Sequence, residues 1–483
     1  MHRRTLLRGS LALALGLPAM AAAESEPWNV VVLGAGLAGI SAAVSAREAG
    51  AERVLVLEKT AVAGGHALLA PGTIASARPE VPNDVMRMAR EIVERGGADA
   101  DPALALSLSA GSIAARRRLE SLGVDWIPQA HWAVGAASPR TLTPRTAMGG
   151  YEFVQLLSAE AVRRGIGTLF GMRATGLQRE KSGRLTVEAR PVTPEEALTA
   201  ELAPARRNDR VMHFEARAVV IATGGWGASR RMRRRYAPDI PDSVATTADP
   251  QGLFGDPATG DGIRIGEDFG ADLIGMPHVQ LIPYAGGRTT DVAGGEIWID
   301  DSAARFVSEG ESFAVVRQAM EERGIDHFWA LSDASTLKNA GIGSKLASGI
   351  VHECETLEEA AVRAKLPVEA LRRTVARWND SVKQGRDADT GRPLLHARPI
   401  AVPPFYIGRE TLLVHFTSGG LRVDARTEVL DRRGRPIDGL FAAGEVMGGI
   451  HGRDRLSGNA ITAALVFGDI AGREAADCAR RRR

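Results

Sequence analysis

Hydrophobic runs separated by glycine turns and helical patterns open the chain and return near its end. Residues 30–33 lead into a glycine-rich turn, an apolar helical pattern over residues 40–49 and a second apolar run, residues 54–57. Near the C-terminus, residues 439–444 lead through another glycine-rich turn into a helical pattern over residues 458–474. Short apolar runs that alternate with helical periods are typical of buried parallel strands. The pattern therefore predicts an α/β fold to which both ends of the chain contribute.

The middle of the chain adds a third strand to this unit. Residues 219–222 form an apolar run that ends in Thr223 and Gly224. Before it, residues 185–190 and 211–214 have the character of β-strands, and the polar, proline-containing stretch 191–210 is predicted to be a surface loop.

The first glycine turn has the features of a dinucleotide-binding motif. Gly34, Gly36 and Gly39 lie between a strand and a helix, and the acidic Glu58 follows the second strand. Glycines there allow a tight turn and a close approach to a pyrophosphate, which the helix N-terminus faces, and Glu58 can accept from a ribose hydroxyl. A glycine turn alone also serves strand-to-helix packing, but all these features together favour nucleotide binding.

Composition places the chain among soluble globular proteins and narrows its partners. Of its 483 residues, 45% are hydrophobic and 24% charged, and the net charge of +2 gives no case for nucleic-acid binding. The length suffices for two or three domains. Only two cysteines occur, Cys354 and Cys478, and no spacing indicates a c-type haem, an iron–sulfur cluster or a zinc site.

Residues 1–23 have the composition of a signal peptide. Arg3 and Arg4 precede a short apolar stretch, and the small residues at 21–23 offer a cleavage site. The apolar stretch is too short to span a bilayer. Paired arginines are typical of the twin-arginine route, which exports folded proteins, and an ordinary secretory signal is the alternative. The sequence thus predicts an exported, periplasmic protein.

Together these motifs resemble the flavoprotein subunit of the fumarate reductase and succinate dehydrogenase family, which includes soluble flavocytochrome c types. Further matching segments are residues 64–65, 259–262 and 415–420, and residues 449–452 before Arg455. The resemblance implies FAD as the cofactor, bound in a Rossmann-type domain into which an α+β capping domain is inserted.

The resemblance and the apolar pattern suggest a division into domains. Residues 28–274 and 414–477 are predicted to form the FAD-binding domain, and residues 275–413 the capping domain that faces the substrate. Within the cap, Thr356 begins a capping-box pattern, and residues 368–383 form a helix whose apolar stripe belongs to the core.

The resemblance implies FAD contacts from segments spread over the whole chain. The predicted contact residues are Gly34, Gly36, Gly39, Glu58, Lys59, Gly64, Gly65, His66, Thr223, Gly224, Asp261, Glu445, Ser457, Asn459 and Ala460. Glu445 matches the ligand of the ribityl chain, and the N-terminus of the closing helix would face the flavin pyrimidine ring. His66 is in register with the histidine that membrane-bound relatives attach covalently to the flavin, so a covalent bond and a noncovalent contact are both open.

Two further residues are implied on the substrate side. Arg455 matches the family arginine that holds a substrate carboxylate, a group that a guanidinium fork binds through two hydrogen bonds. His415 matches a histidine of the substrate-facing turn, with a packing role at the domain seam as the alternative. Thr417 and Ser418 are predicted to be turn residues that bond the backbone.

The cap departs from the family where a fumarate reductase delivers its proton. Ile282 stands in place of a histidine, Arg288 and Thr289 in place of a threonine–glutamate pair, and Phe313 and Val292 in place of two arginines. These departures argue against fumarate as the substrate.

Replacement acids are present in the same segment. Tyr284 could exchange a proton with the substrate carbon or with solvent, and His278 and Arg288 are close in sequence. For each of them a surface or packing role is an equal alternative. Phe416, which replaces a second family histidine, makes the pocket more apolar and fits a bulkier substrate.

The predicted function is that of an exported FAD-dependent oxidoreductase. It would transfer a hydride between flavin N5 and a carbon–carbon bond next to a carboxylate or carbonyl of a small molecule. One alternative is an enzyme like the 3-ketosteroid dehydrogenases of the same fold, although their tyrosine–glycine motif is replaced by residues 455–458. The other is a noncatalytic FAD-binding protein. Without a haem or cluster motif, electrons would pass through a separate carrier such as a cytochrome c or a quinone-linked protein.

Overall fold

The computed structural model of the chain describes residues 26–128, 130, 138–146, 148–200, 210–284, 286–290, 296–338, 341–394 and 397–482. The predicted signal peptide, residues 1–23, and Val292, which stands in place of a family arginine, lie outside the described residues. None of the helices in these ranges is both long and apolar enough to cross a membrane.

Strands and helices alternate through the first part of the chain and again at its end. The strands within the described ranges are, in chain order, β1 (Trp28–Leu33), β2 (Val54–Leu57), β3 (Ile74–Ala75), β4 (Thr141–Leu142), β5 (Gly167–Leu169), β6 (Met172–Arg179), β7 (Leu185–Pro191), β8 (Met212–Ile221), β9 (Leu273–Ile274), β10 (Val279–Pro283), β11 (Ile297–Ile299), β12 (His327–Asp333), β13 (Val351–Cys354), β14 (Phe405–Thr417), β15 (Gly420–Leu421), β16 (Glu428–Leu430) and β17 (Pro436–Ala442). The α-helices are α1 (Leu37–Glu48), α2 (Asp84–Gly96), α3 (Pro102–Ser121), α4 (Gly149–Arg163), α5 (Pro194–Ala197), α6 (Arg230–Tyr236), α7 (Asp261–Asp268), α8 (Phe313–Arg323), α9 (Ile342–Ala347), α10 (Leu357–Ala364), α11 (Val368–Gln384) and α12 (Asn459–Arg481). Short 3₁₀ helices cover Gly65–Leu69, Gly97–Asp99 and Gly444–Val446.

An eight-stranded sheet forms the larger half of the molecule. Its order is β16-β17-β8-β1-β2-β5, with β7 and then β6 joined to the first half of β8. The five strands β17, β8, β1, β2 and β5 run parallel, whereas β16, β6 and β7 are antiparallel to their neighbours. β1 lies inside the sheet, and the side chains of Val30, Val31 and Val32 are 0% exposed. The α/β class is confirmed, and a ligand is expected at the carboxyl ends of the parallel strands.

The C-terminal helix lies directly on the first helix, which brings the two ends of the chain together. A Cβ added to Gly468 would lie 2.5 Å from the carbonyl oxygen of Ala38, and one added to Gly472 would lie 2.1 Å from that of Ala42. The two glycines, one turn apart on α12, therefore permit the close approach of α1. The helix extends beyond the predicted residues 458–474, because its small side chains remain buried up to Ala479.

A second sheet forms the cap. Its order is β10-β14-β12-β11, and β13 pairs with the first part of β14. Strand β14 is 13 residues long and runs without a break through residues 413 and 414, where the sequence predicted the domain boundary. The predicted boundary at residues 413 and 414 therefore lies inside a strand of the second sheet, and the division into domains stays a prediction.

The cap helices match their prediction in part, and the predicted loop contains a short helix. The Thr356 hydroxyl accepts from the backbone N–H of Glu359 at 3.1 Å and caps α10. The Glu359 carboxylate accepts from the N–H of Glu355 at 3.0 Å, so the reciprocal half of the predicted capping box is not formed. The stripe on α11 is in the core; its residues are Leu371, Val375 and Trp378, which are buried, and Val382, which is half-buried. Within the predicted loop 191–210, however, α5 is closed by a capping box between Thr193 and Glu196. Both cysteines are buried and free.

Candidate active site

A cavity of about 440 Å³ runs from the carboxyl ends of β1, β2 and β8 to the underside of the cap. The predicted residues in its wall are Gly34, Gly36, Glu58, Lys59, Gly64, Gly65, His66, Thr223, Gly224, Asp261, Tyr284, His415, Glu445, Arg455, Ser457 and Ala460. Gly39 and Asn459 do not line it. A Cβ at Gly39 would lie 1.9 Å from the carbonyl oxygen of Gly34, so this glycine serves the packing of α1 against the turn. Asn459 is 2% exposed at the start of α12.

The cavity-lining glycines show where a ligand must approach the backbone. Gly34 has φ +101°, and a Cβ there would lie 2.5 Å from the carbonyl oxygen of Ala222. Gly36 has φ −70°, which any residue adopts, and the nearest atom to an added Cβ is 3.9 Å away. Neither the backbone nor the packing requires glycine at position 36. A close approach by a pyrophosphate does require it.

Two helix N-termini open on this cavity without a side-chain cap. Helix α1 begins after Gly36 and α12 after Gly458, and neither has a side-chain hydrogen bond at its cap. The free N–H groups and the positive end of each helix dipole favour a negatively charged ligand group at both places. This geometry suits a dinucleotide that stretches between the two ends of the chain.

Charged side chains surround the far end of the cavity. Glu58 accepts from the N–H of Ala35 at 2.7 Å and from the N–H and hydroxyl of Thr60 at 2.8 Å. Lys59 donates to Asp261 at 3.0 Å. Asp261 also accepts two hydrogen bonds from the guanidinium of Arg173, at 2.9 and 2.5 Å. Arg173 was not among the residues predicted from the sequence. Burial would raise the pKa of Asp261, but these two cations lower it to about 2.

The carboxylate of Glu445 is fixed by hydrogen bonds from the end of strand β14. Its Oε1 accepts from the N–H of Thr417 at 2.9 Å and from the Thr417 hydroxyl at 3.0 Å. Burial raises the pKa of the Glu445 carboxyl. Thr417 is therefore more than a turn residue: it orients the carboxylate that was predicted to contact the ribityl chain.

His415 owes its orientation to an irregularity in β14. In the pairing with β10, Phe416 lies opposite Gln280 and Val414 opposite Leu281, so His415 is an extra, bulged residue. A bulge re-aims a side chain, and the His415 ring lines the cavity. Its Nδ1 lies 2.9 Å from the hydroxyl of Thr247. Burial, together with the charges of Arg455 and His66, holds the pKa of His415 well below its usual range, so the imidazole is neutral.

Arg455 is a buried cation without a carboxylate partner among the described residues. The residue is 6% exposed, its Nη1 donates to the carbonyl oxygen of Leu456 at 3.2 Å, and its Nε has no hydrogen-bond partner. The guanidinium lies over the ring of Phe416, with 4.7 Å between the carbon Cζ and the ring centroid. Burial lowers the pKa of Arg455 to about 10. An anionic ligand group in the cavity would satisfy this charge.

The cap closes this end of the cavity with both apolar and polar groups. Ile282 and Phe313, at the positions of the missing family histidine and arginine, pack against each other as a buried apolar pair. Tyr284 and Arg288 also line the cavity, and the Tyr284 ring lies 6.3 Å from that of His415 between centroids. His278 does not line it: its Nε2 is 2.6 Å from Asp99, beside a second, smaller cavity. The structure therefore places His278 outside the wall of the main cavity, which does not favour it as the acid.

Comparison with known proteins assigns the fold and the cofactor. Residues 29–461 match the family model described as the FAD binding domain. The chain belongs to this FAD-binding family.

Its relatives include enzymes of known activity. A urocanate reductase from Eggerthella lenta is 32% identical over 477 residues, which cover 93% of this chain and 74% of that protein. The open conformation of a flavocytochrome c3 fumarate reductase has a TM-score of 0.70 at 28% identity, covering 96% of this chain and 80% of that one. A 3-ketosteroid-delta4-(5alpha)-dehydrogenase from Rhodococcus jostii, with a TM-score of 0.67 at 24% identity and coverage of 94% and 99%, shows likeness of fold alone.

The expectations of the sequence are confirmed at the level of this family. The likeness to fumarate reductase flavoproteins, the FAD domain with a cap and the FAD cofactor all hold. The family's reaction class, FAD-dependent oxidation or reduction of carbon–carbon bonds, also agrees with the prediction. An added Cβ would meet no atom within 4 Å at Gly65 or Gly224, and only one atom, at 3.9 Å, at Gly36. This open space over three cavity-lining glycines fits the flavin nucleotide.

Several side chains that shape the cavity were not predicted from the sequence. Those in its wall or bonded to it are Arg173, Thr247, Asp256, Lys345 and Glu410. None of them belongs to a local motif, and each reaches the cavity from an element distant in sequence. For Arg173, the one sequence signal was a charged residue within an otherwise buried part of strand β6.

Proposed function

We propose that this flavoprotein is an oxidoreductase of a carbon–carbon bond next to a carboxylate, for which FAD, when bound, accepts or releases the hydride at N5. The observation that carries the proposal is the Arg455 guanidinium in the wall of the nucleotide cavity. It makes no ion pair with the described residues, its Nε has no hydrogen-bond partner, and Glu445 and Asp454 act on it only at longer range. A buried charge without a partner is costly to the fold, and a substrate carboxylate would remove that cost.

Arg455 would both bind and activate the substrate. Its position over Phe416 and its contact with the Leu456 carbonyl fix the plane of the guanidinium. A carboxylate bound to this plane through two hydrogen bonds loses electron density from the adjacent carbon–carbon bond, which favours hydride addition. Neutral His415, held by Thr247, can donate or accept a hydrogen bond on the same substrate.

Tyr284 is the group that we assign to proton exchange. It lines the cavity near His415 and is 41% exposed, so its hydroxyl can communicate with solvent. Its backbone N–H donates to the carbonyl oxygen of Thr411 at 3.3 Å, which anchors it to β14. Arg288 is the less suitable acid, because its guanidinium is bonded to Glu296 at 3.0 Å and to the Thr290 carbonyl at 3.0 Å.

The cap favours a substrate bulkier than fumarate. Ile282 and Phe313 in the cap, and Phe416 directly beneath Arg455, add apolar surface to the cavity, whose cap side also carries Arg288 and Lys345. A 2-enoate with one carboxylate and a ring substituent, as in the substrate named for the urocanate reductase relative, fits this combination of a guanidinium and apolar surface. A ketosteroid would leave Arg455 without a partner, which makes the steroid alternative less favourable.

The remaining expectations are part of the same proposal. Residues 1–23 would direct export by the twin-arginine route to the periplasm, and residues 275–413 would form the substrate-facing cap. Because the sequence contains no haem-binding CxxCH motif, electrons would pass through a separate carrier, either a cytochrome c or a quinone-linked protein.

The test is a comparison of 2-enoates with the purified holoenzyme and a reduced viologen dye. Fumarate, urocanate and cinnamate share the reacting group and differ in the second substituent. We expect one of the ring-bearing acids to exceed fumarate at least tenfold in kcat/KM. Rapid fumarate reduction would contradict the assignment of the cap, and a protein that shows no flavin absorption even after reconstitution would contradict the whole proposal.

A further inference from the structure

One ion pair at the wall of the cavity is not used by the proposed reaction. The Nε2 of His66 lies 2.7 Å from Oδ1 of Asp256, which also accepts from the N–H of Ala258 at 2.7 Å. The Asp256 side chain is 4% exposed, whereas that of His66 is 33% exposed and lines the cavity. The imidazole ring therefore stands in the cavity wall with the carboxylate buried behind it.

The loop that carries Asp256 is built to hold this carboxylate in place. The side chain of Asp249 accepts from the N–H groups of Leu253 at 2.9 Å, Phe254 at 3.2 Å and Gly255 at 2.7 Å. Asp249 is itself buried. Three backbone bonds to one buried carboxylate fix the turn immediately before Asp256, so the ion pair is a fixed feature rather than a chance surface contact.

The pair is charged at neutral pH. Burial by itself would lower the pKa of His66, but the charge and hydrogen bond of Asp256 outweigh it and raise the pKa to about 9. Burial would raise the pKa of Asp256, and the His66 charge lowers it to about 2. Between these values the ring carries two N–H groups and a positive charge.

His66 acts on the substrate end of the cavity. Its charge lowers the pKa of His415 and opposes the burial effect on the pKa of Glu445, so both residues lie within its electrostatic reach. Arg455 acts on His415 in the same way. When FAD is bound, the proposed reaction would require its redox-active ring at this end, next to Arg455 and His415.

We propose, on the basis of the proposed function, that the His66–Asp256 ion pair raises the reduction potential of the bound flavin. A flavin gains negative charge on reduction, and a cation fixed in the cavity wall stabilises the reduced state more than the oxidised state. The buried carboxylate keeps the ring protonated and oriented. Because Nε2 of His66 faces Asp256, we take the ring to contact the flavin noncovalently.

The chain contains a matched control for this pair. His278 and Asp99 also form a close pair, with Nε2 and Oδ2 2.6 Å apart, but they lie beside the second cavity. Replacing His278 by asparagine removes a histidine of the same type without changing the main cavity wall.

The experiment is a dye-equilibrated redox titration of the flavin absorbance, without substrate, on the holoenzyme. His66→Asn and Asp256→Asn are expected to shift the midpoint potential to more negative values, while His278→Asn leaves it unchanged. His66→Lys, which keeps a cation, is expected to recover most of the loss. A tenfold fall in the preference for reduced flavin corresponds to about 30 mV for two electrons.

Two results would overturn the proposal. If His66→Asn weakens FAD binding but leaves the potential unchanged, the ring serves the pyrophosphate and not the flavin. If acid precipitation leaves yellow colour in the protein pellet, His66 is covalently attached and is not a free imidazolium. Because the titration needs no substrate, it is independent of whether the proposed reaction is correct.

Discussion

Buried arginines occur in two regions of the molecule with opposite surroundings. In the cap, Arg305 is 0% exposed in its side chain and donates to Glu309 at 2.7 and 2.8 Å and to Asp387 at 2.9 Å. Arg392 donates to the same Glu309 at 2.8 Å. In the cavity, Arg455 is nearly as buried, yet within the described residues no carboxylate oxygen lies within 4.0 Å of its guanidinium.

The difference separates a cation that belongs to the fold from one that belongs to a ligand. A buried charge is tolerated when its partner and hydrogen bonds are complete, as for Arg305. An incomplete set costs stability, and a fold would gain from an apolar residue there. Both cations stack on an aromatic ring, Arg305 on Trp378 at 4.7 Å and Arg455 on Phe416 at 4.7 Å, so only the carboxylates distinguish them.

The largest expected effect comes from removing the carboxylate of the cap cluster. Glu309→Gln leaves two buried guanidinium groups undercompensated, and we expect the free energy of unfolding to fall by about 3–5 kcal/mol. Denaturant unfolding of the holoenzyme measures it. Glu321→Gln, which removes an exposed partner of Arg317, is the control and should cost less than about 1 kcal/mol. If Glu309→Gln and Glu321→Gln lower the free energy of unfolding by the same small amount, the buried ion pairs of Glu309 contribute no more to stability than an exposed one.

At Arg455 the expected loss is in activity and not in stability. Arg455→Lys keeps the charge but loses the fork, and we expect kcat/KM to fall by about ten- to a hundredfold, as for the loss of about 1.5–3 kcal/mol from a charged hydrogen bond. Arg455→Met should abolish turnover while unfolding at the same or a higher denaturant concentration than the wild type. A clear loss of stability in Arg455→Met would place this arginine with the structural cluster instead.

The contrast between these arginines could not be read from the sequence. The glycine motif at Gly34 and Gly36 is local, so the nucleotide fold was predictable from spacing, whereas the proposed role of Arg455 came from the resemblance to the flavoprotein family. Whether a cation is paired depends on residues far away in the chain, as Asp387 is for Arg305. The bond from Arg173 to Asp261 was not predictable for the same reason, because the two residues are far apart in sequence. The bulge that orients His415 likewise depends on the pairing of β14 with β10.

Acid should affect the two regions differently. The charges and hydrogen bonds of the arginines outweigh burial and lower the pKa values of Glu309 and Asp387 below their usual range. Their contribution to stability is therefore complete above the unfolded-state values of about 4 and is lost as the pH falls through the lower folded-state values. We expect Asp387→Asn to flatten the decline of unfolding free energy as the pH falls below about 4. Arg455→Met, which removes no carboxylate pair, should keep the wild-type slope.

The smallest expected effect concerns the aromatic ring beneath each cation. Phe416→Leu keeps an apolar surface below Arg455 but removes the cation–π contact, which is worth about 0.5–2 kcal/mol in a desolvated site. Because the contact fixes the guanidinium plane, we expect the KM for the carboxylate substrate to rise by about two- to thirtyfold with little change in kcat. In the cap, Trp378 lies between two arginines that their carboxylates already hold, so Trp378→Leu should lower stability and leave KM unchanged. The measurements are the KM and the unfolding midpoint of Phe416→Leu and Trp378→Leu. If KM rises in Trp378→Leu but not in Phe416→Leu, Phe416 does not position Arg455.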